Sequence, residues 1–279
     1  MTQRAAQQPV RVMGVINVTP DSFSDGGRFT EPEAALAQAL RLIADGADML
    51  DVGGESTRPG AEAVDEADEI ARAVPLIAAI RAGSAIPISV DTMKPAVARA
   101  AVAAGATIWN DVTALRHAPD SMATAAELGC EVVLMHMQGE PGTMQVEPHY
   151  DDVVTEVAEF LSVRAEAAIA AGVARERIWL DPGVGFGKHM IRHNLPLLAG
   201  LDRIVALGFP VLLGVSRKRF ISALDEGGKT PDQRLGGSLA AALAGVAAGV
   251  AAVRVHDVRE TVQALRVWQA IVQARVSAS

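Results

Sequence analysis

The sequence predicts a (β/α)8 barrel of the TIM-barrel class, formed as a single domain by residues 10–279, with residues 1–9 as a short N-terminal arm. One unit recurs along the chain: an alanine-rich stretch ending in glycine, a short aliphatic run, and then a polar residue. Glycine suits the left-handed position after a helix, and a short aliphatic run without alternation suits a strand buried on both faces. Such strands alternating with helices form parallel βαβ units, and one barrel takes about 250 residues.

The first four strand–helix pairs follow directly from this unit. The strands are predicted at 10–16 (VRVMGVI), 47–52 (ADMLDV), 86–90 (IPISV) and 107–110 (TIWN). The helices that fit between them are predicted at 31–45, 65–82, 95–104 and 119–128. Glycines at 46 and 105 stand between a helix and the strand that follows it, which supports these boundaries.

The second half of the chain repeats the pattern four more times. Its strands are predicted at 131–135 (EVVLM), 177–181 (RIWLD), 210–215 (PVLLGV) and 252–256 (AVRVH). Its helices are predicted at 151–171, 191–206, 236–248 and 258–275. Eight such pairs favour a closed barrel over a doubly wound open sheet, which is the alternative that the same pattern allows.

A polar side chain stands at the end of every predicted strand. Since the loops at the carboxyl ends of barrel strands form active sites, these residues predict a site on one rim. The alternative is that each of them starts a turn or caps the next helix. The eight residues are Asn17, Asp51, Asp91, Asn110, His136, Asp181, Ser216 and His256.

Composition excludes several classes of partner and compartment. The chain has 25 Lys and Arg against 33 Asp and Glu, a net charge of −8, which argues against binding to nucleic acid or an anionic membrane. One cysteine excludes an internal disulfide framework and a multi-cysteine zinc site. The N-terminus has no apolar signal-peptide core, and the longest nearly apolar run, 239–253, is shorter than the roughly 20 residues of a membrane span. We expect a cytoplasmic protein.

Two loops near the start of the chain have the composition of ligand-binding loops. The loop after Asn17 is long and polar and ends in two glycines, which suits a mobile lid. The loop after the second strand, GGESTRPG, combines small residues, a hydroxyl group and the guanidinium of Arg58, which suits an anion-binding turn, and Pro59 restricts the path of Arg58. An ordinary surface loop and a solvated turn are the alternatives.

Carboxylates and an amide at three central strand ends point to a flat heterocycle. Asp91, Asn110 and Asp181 supply acceptors and donors for a ring with several N–H groups. Met135 and Phe186 lie near them and could flank such a ring, although both also suit the core. The stretch DPGVGFGKH does not match the P-loop template, because Pro182 replaces the first glycine and His189 replaces Ser or Thr.

A basic cluster follows the seventh predicted strand, and Arg254 and His256 lie at the end of the eighth. The loops after strands seven and eight of a barrel often hold phosphate. A local positive charge on an acidic protein predicts a small anionic substrate, although Arg217 and Arg219 also fit a solvated face. The residues are Ser216, Arg217, Lys218, Arg219, Arg254 and His256.

Taken in order, eight motifs resemble the dihydropteroate synthase family of pterin-binding barrels. They are MGVINVTPDSFSDGG, LDVGGESTRPGA, SVDTMKP, IWNDV, LMHMQGEPGTMQ, DPGVGFGK, GVSRK and VRVHDV, which span nearly the whole chain. The resemblance implies condensation of 6-hydroxymethyl-7,8-dihydropterin pyrophosphate with 4-aminobenzoate in folate biosynthesis, giving 7,8-dihydropteroate and pyrophosphate. It also implies Mg²⁺, a homodimer, and competition by sulfonamides for the aminobenzoate site.

The resemblance implies roles for individual residues. Asn17 is similar to the magnesium ligand, and Arg254 and His256 are similar to the pyrophosphate anchor. Asp91, Lys218 and Arg254 are implied as the catalytic residues. The pterin contacts implied are Asp91, Asn110, Met135, Asp181, Phe186 and Lys218, while the residues on the diphosphate and aminobenzoate side are Phe23, Thr57, Arg58, Pro59 and Ser216.

Three other functions stay open at this point. A corrinoid-linked methyltetrahydrofolate methyltransferase binds a pterin in a similar barrel, but the TRPG and SRK stretches argue against it. A non-catalytic pterin-binding paralogue is the second alternative, and a structural role, which leaves the polar rim unexplained, is the third. The stretch IRHNLPLL departs from the expected acidic pattern at Arg192, on a predicted helix outside the site.

Overall fold

The structure, a computed structural model, describes residues 9–18, 31–56, 63–140 and 142–277 and confirms the barrel. Eight strands alternate with helices along the chain. The strands are β1 Arg11–Asn17, β2 Met49–Gly53, β3 Ile88–Asp91, β4 Ile108–Asp111, β5 Glu131–Met135, β6 Ile178–Asp181, β7 Leu212–Gly214 and β8 Ala252–Val255. The helices are α1 Glu31–Ala44, α2 Glu66–Gly83, α3 Pro95–Ala103, α4 Ser121–Leu128, α5 Val153–Ala170, α6 Asn194–Ala199, α7 Leu201–Val205, α8 Arg219–Ser222, α9 Leu235–Ala248 and α10 Val258–Ser277.

Hydrogen bonding closes the sheet into a barrel. The strands pair in the order β6-β5-β4-β3-β2-β1-β8-β7, and all the pairs are parallel. A parallel bridge between Leu180 and Val211 joins β6 to the residue before β7. A doubly wound sheet would reverse its strand order at a central point, so this alternative is excluded.

An apolar layer fills the barrel below its carboxyl end. Seven of the strands contribute one buried side chain each to a single cluster: Met13, Met49, Ile108, Val133, Trp179, Leu212 and Ala252. Side chains two residues apart on a strand lie on the same face. The next inward positions toward the carboxyl end are therefore Val15, Asp51, Asn110, Met135, Asp181, Gly214 and Arg254. The barrel thus supports its polar layer directly on an apolar one.

In the second half of the chain, one predicted helix is wrong and one short helix was missed. The single helix predicted at 191–206 is two short helices, α6 and α7, which meet at Gly200. A Cβ atom at Gly200 would lie 2.8 Å from a methyl group of Val154, so the close approach of α5 requires glycine there. The four residues of α8 were not predicted, because one turn is too short to show a helical period.

A buried lysine holds together the two ends of the loop that follows β2. Lys94 Nζ donates to Glu55 Oε2 at 2.9 Å, to Glu69 Oε2 at 2.6 Å and to the carbonyl oxygen of Val64 at 2.5 Å. Glu55 Oε1 accepts a hydrogen bond from the Val64 N–H at 3.0 Å. The chain on either side of residues 57–62 is therefore fixed by one ammonium group and two carboxylates.

We expect Lys94→Met to lower the free energy of unfolding by about 3–5 kcal/mol, because two buried carboxylates would lose their shared cation. Urea denaturation measures this loss. Lys229→Met is the matched control at an exposed position, where a change within about 0.5 kcal/mol is expected. Equal losses in the two variants would contradict a stabilising role for the buried cluster.

Outside the described residues lie positions 1–8 of the predicted N-terminal arm. Within the part of the chain that the structure describes, no helix is both long enough and apolar enough to cross a membrane.

Candidate active site

The polar layer opens into a pocket at the carboxyl end of the barrel. Six strands, β3 to β8, and the loops after β4, β6 and β7 surround it, so the pocket gathers residues that are far apart in sequence. Its walls are Asp91, Asn110, Val112, Met135, Asp181, Gly183, Val184, Phe186, Gly214, Lys218 and Arg254. Seven residues predicted for the site from the sequence are among them.

Arg254 forms ion pairs with two buried carboxylates at one side of this pocket. Its Nε donates to Asp51 Oδ2 at 2.6 Å, and its Nη2 donates to Asp91 Oδ2 at 2.8 Å. The Nδ2 group of Asn110 donates to the same Asp51 oxygen at 3.3 Å. Asp51, predicted at a strand end, instead lies inside β2, fully buried, and orients Arg254 and Asn110 from below.

Burial and neighbouring charges change the pKa values of the ionisable groups at this side of the pocket. Burial raises the pKa of Asp91 to about 7, Arg254 lowers it in part, and the neighbouring Asp51 raises it further. Burial opposes the charge of Arg254, but Asp51 and Asp91 outweigh burial and raise the pKa of the guanidinium. Within the described ranges, Asp51 Oδ1, Asp91 Oδ1 and Ser89 Oγ are buried without a hydrogen-bond partner. These three oxygen atoms can therefore form further hydrogen bonds at the bottom of the pocket.

The opposite wall combines a carboxylate, an aromatic ring and a lysine. Asp181 Oδ1 accepts from the Gly183 N–H at 2.7 Å, and burial raises the pKa of Asp181. The Lys218 ammonium lies 4.1 Å from the centroid of the Phe186 ring. Burial lowers the pKa of Lys218 to about 8, and Asp181 opposes this change. Met135, buried at the end of β5, packs in the same small apolar cluster as Phe186.

The glycines of the loop after β6 allow two backbones to meet. Gly183 has φ +65°, and a Cβ atom there would lie 1.9 Å from the carbonyl oxygen of His136. Gly187 has φ +58°, and its Cβ atom would lie 2.3 Å from the carbonyl oxygen of Gln138. Gly183 lines the pocket, but the close contact that requires glycine is with the loop after β5.

Two predicted anion-binding residues lie together beyond β7 and β8. Ser216 Oγ accepts from the His256 N–H at 3.2 Å and lies 3.1 Å from His256 Nδ1. The guanidinium of the neighbouring Arg217 forms a two-point ion pair with Asp257, at 3.0 and 2.5 Å. Arg217 is not among the residues that line the pocket, and its side chain is only 32% exposed beside Asp257.

Arg234 holds this loop in place and was missed in the sequence. It is buried, and its guanidinium donates to the carbonyl oxygens of Arg217, Gly228 and Lys229 at 2.9, 2.8 and 2.7 Å. No local pattern distinguishes such an arginine from an exposed one, because its three acceptors are backbone atoms.

Asn17 ends β1 and pairs in register with Gly53, which pairs in turn with Asp91. Its amide oxygen is a hard donor of the kind that Mg²⁺ accepts, and one such ligand suffices only where phosphate and water complete the shell. The described residues contain no group of three His, Cys, Asp or Glu that could hold a metal by themselves. The four other predicted residues, Phe23, Thr57, Arg58 and Pro59, lie outside the described residues.

Comparison with known protein families matches residues 13–256 to the family described as pterin binding enzyme. The chain belongs to this family. Among curated pterin-binding enzymes, dihydropteroate synthase from Streptococcus pyogenes is 49% identical over 248 residues, which are 89% of this chain and 90% of the relative. The resemblance seen in the sequence is therefore confirmed, and the chain groups with the dihydropteroate synthases.

Solved structures of dihydropteroate synthases have the same fold. The Xanthomonas albilineans dihydropteroate synthase with 4-aminobenzoic acid is 55% identical, with a TM-score of 0.88, and the match covers 94% of this chain and 93% of that one. The same enzyme in complex with 7,8-dihydropteroate is 52% identical, with a TM-score of 0.86 over the same shares of the two chains.

Proposed function

We infer that this protein is a dihydropteroate synthase, which condenses 6-hydroxymethyl-7,8-dihydropterin pyrophosphate with 4-aminobenzoate to give 7,8-dihydropteroate and pyrophosphate. The observation that carries this conclusion is the pocket itself. It places Asp91, Asn110 and Asp181 around one cavity and Arg254 at its edge. These groups suit a pterin ring joined to a diphosphate.

We assign the pterin to the wall between Asp91 and Asp181. The two carboxylates accept hydrogen bonds from ring N–H and amino groups, while the Asn110 amide is oriented by its bond to Asp51. Lys218 donates to a ring acceptor, and the apolar faces of Met135 and Phe186 flank the ring. The pocket thus distinguishes a pterin by hydrogen bonding at its edge and by contact with its faces.

In the reaction, the C–O bond between the exocyclic methylene and the diphosphate breaks, and its electron pair leaves with the diphosphate. Arg254 and His256 are the residues we assign to that departing charge, because a guanidinium binds phosphate oxygens in a two-point manner. Asp91 stabilises the positive charge that develops on the pterin. The aminobenzoate nitrogen then bonds to the methylene and loses one proton, and no covalent bond to the protein forms.

We propose that Mg²⁺ is required and that the side chain of Asn17 is its protein ligand. When bound, the ion would neutralise part of the diphosphate charge. We assign Phe23, Thr57, Arg58, Pro59 and Ser216 to the diphosphate and aminobenzoate side, on the basis of the motifs that contain them. A homodimer and a cytoplasmic location are also proposed, and light scattering and cell fractionation would test them.

The function is tested by measuring pyrophosphate release with both substrates, and with each one omitted. Release that requires both substrates, together with formation of 7,8-dihydropteroate, is the expected result, and excess EDTA should abolish it. Binding of the pterin without any release would identify a non-catalytic pterin-binding protein. Methyl transfer from methyltetrahydrofolate to a corrinoid would identify the methyltransferase alternative.

We expect aminobenzoate to bind appreciably only when pyrophosphate and Mg²⁺, or the pterin-side ligand, are already bound. Fixing a loop costs on the order of 1–2 kcal/mol per residue, and a small flat anion offers little contact to offset this cost. Calorimetric titration of aminobenzoate into the protein alone, and into protein saturated with pyrophosphate and Mg²⁺, measures the difference. A sulfonamide should compete only in the second titration, and equal affinity in both would contradict the ordered scheme.

We expect kcat/KM for the pterin pyrophosphate to follow a narrow bell-shaped curve between about pH 7 and 8. Below the raised pKa of Asp91, about 7, the carboxyl group is protonated and no longer stabilises a cation. Above the lowered pKa of Lys218, about 8, the amine is neutral. Lys218→Arg should remove the alkaline limb, because a guanidinium stays charged. An unchanged alkaline limb in that variant would assign it to another group.

A further inference from the structure

A lysine that contacts no substrate position lies directly behind the pterin-facing wall. Lys188 follows the glycine-rich loop after β6, and only 1% of its surface is exposed. Its Nζ lies 2.8 Å from His136 Nδ1, 2.9 Å from the Gly183 carbonyl oxygen and 3.0 Å from the Phe186 carbonyl oxygen. Each of these three close contacts is with an uncharged acceptor.

The three acceptors satisfy the lysine in either protonation state. An ammonium group donates three hydrogen bonds, which matches His136 Nδ1 and the two carbonyl groups. A neutral amine donates to the carbonyl groups and accepts from His136 when that ring carries its proton on Nδ1. Burial lowers the pKa of His136 to about 2, with Lys188 contributing, so the imidazole is neutral in both cases. Removal of the histidine nitrogen would leave Lys188 one partner short inside the protein.

Lys188 joins the residues that form the pocket wall. Gly183 and Phe186 both line the pocket, and the Phe186 N–H also donates to the Gly183 carbonyl oxygen at 3.0 Å. The Phe186 ring lies beside the Lys218 ammonium. A change behind the wall would therefore move an aromatic face and a charged group that both face the pterin.

The backbone N–H and carbonyl groups of the loop after β6 are arranged differently from those of a phosphate-binding loop. Two of its N–H groups are already used by side chains, because Gly183 donates to Asp181 and Gly185 donates to Asn194 Oδ1 at 2.8 Å. Two of its carbonyl groups, those of Gly183 and Phe186, accept from Lys188. A phosphate loop does the opposite, since its N–H groups converge on an anion. The motif that failed the P-loop template thus encloses a lysine amine of its own chain.

We propose that Lys188, held by His136 Nδ1, is a positioning residue that fixes the Gly183–Phe186 wall and so determines affinity for the pterin but not for aminobenzoate. The inference deepens the proposed function and rests on it. Lys188 and His136 thus share one role, and neither of them contacts the substrate.

The matched pair His136→Leu and His136→Asn tests this role. Leucine removes the acceptor, whereas the asparagine side chain can accept from or donate to Lys188 in place of Nδ1. We expect His136→Leu to raise the KM for the pterin pyrophosphate at least tenfold, and to leave the KM for aminobenzoate, at saturating pterin, within twofold. His136→Asn should bring the pterin KM back to within threefold of the unchanged protein. Lys188→Met is the second variant and should repeat the leucine result.

Calorimetry with the bare pterin alcohol separates this inference from the proposed function. If the unchanged protein does not bind the alcohol, the proposed function fails. If it binds, and a folded His136→Leu or Lys188→Met protein binds equally well, the positioning role is wrong. Equal impairment of the leucine and asparagine variants would also overturn it. Failure of both His136→Leu and Lys188→Met to fold, shown by thermal unfolding, would assign the pair a purely structural role and reject the proposal.

Discussion

Asp91→Asn is expected to lower turnover by about two to three orders of magnitude, because the substitution removes a fixed negative charge from beside a developing cation. Asp91 ends β3, lines the pocket, and is held by Arg254 at 2.8 Å. An asparagine has nearly the same shape, so it keeps a hydrogen-bond acceptor while losing the charge. The measurement is steady-state turnover with both substrates saturating. Turnover within threefold of the unchanged protein would contradict the assignment.

The same substitution should leave the protein folded, and the direction of the pKa change explains why. Because burial raises the pKa of Asp91 from 3.8 to about 7, the folded state favours the protonated carboxyl group. The stability from this group is fully present below pH 3.8 and is lost as the pH rises through about 7. A neutral asparagine avoids that loss at pH 8. Thermal unfolding checks this, and the exposed Asp45→Asn is the control for turnover.

Arg254→Met is expected to lower the free energy of unfolding by about 3–5 kcal/mol, because Asp51 and Asp91 would remain buried without their cation. The double variant Asp51→Asn/Arg254→Met should recover much of this stability, since one of the two uncompensated charges is removed. Chemical denaturation of the two single variants and the double variant measures the coupling. Independent, additive losses would show that the ion pair does not determine the stability.

Ligand binding to the Asp51→Asn/Arg254→Met variant distinguishes the structural role of Arg254 from its role in binding the substrate. The double variant should bind the bare pterin alcohol far better than it binds the pyrophosphate ester, because only the ester needs the guanidinium. Calorimetry with the two ligands gives the comparison. If the ester and the alcohol lose affinity equally, Arg254 does not hold the diphosphate.

Much of the barrel and its pocket could be predicted from local patterns. Each strand is a short aliphatic run, and the residue at its carboxyl end has to face the rim. The structure places Asp91, Asn110, Asp181, Lys218 and Arg254 around one pocket, in agreement with that reasoning, while their chemical roles stay predictions. The strand register explains the success for Asn110, Asp181 and Arg254, because each of them stands two positions beyond a residue of the apolar layer.

Other contacts could not be predicted, because they join distant segments. Asp51 and Arg254 are 203 residues apart, and although each stands out as a charged residue in an aliphatic run, no local pattern shows that the two side chains meet. Lys188 and His136 are 52 residues apart and meet only because β5 and β6 are neighbours. The Lys94 cluster forms only because the two ends of the loop after β2, at Glu55 and Val64, lie close together. Whether a charged residue is buried depends on which partners it has, and only the closed barrel brings those partners together.

Two glycines of the loop after β6 limit how the protein can escape an inhibitor. Any side chain at Gly183 or Gly187 would collide with a backbone oxygen, 1.9 or 2.3 Å from its Cβ atom, and a backbone atom cannot rotate aside as a side chain can. A drug whose contacts fall on this part of the wall therefore meets a surface that point mutation cannot reshape while the pocket survives. Selection for resistance to such a compound would be forced onto residues elsewhere around the pocket, where side chains have room to change.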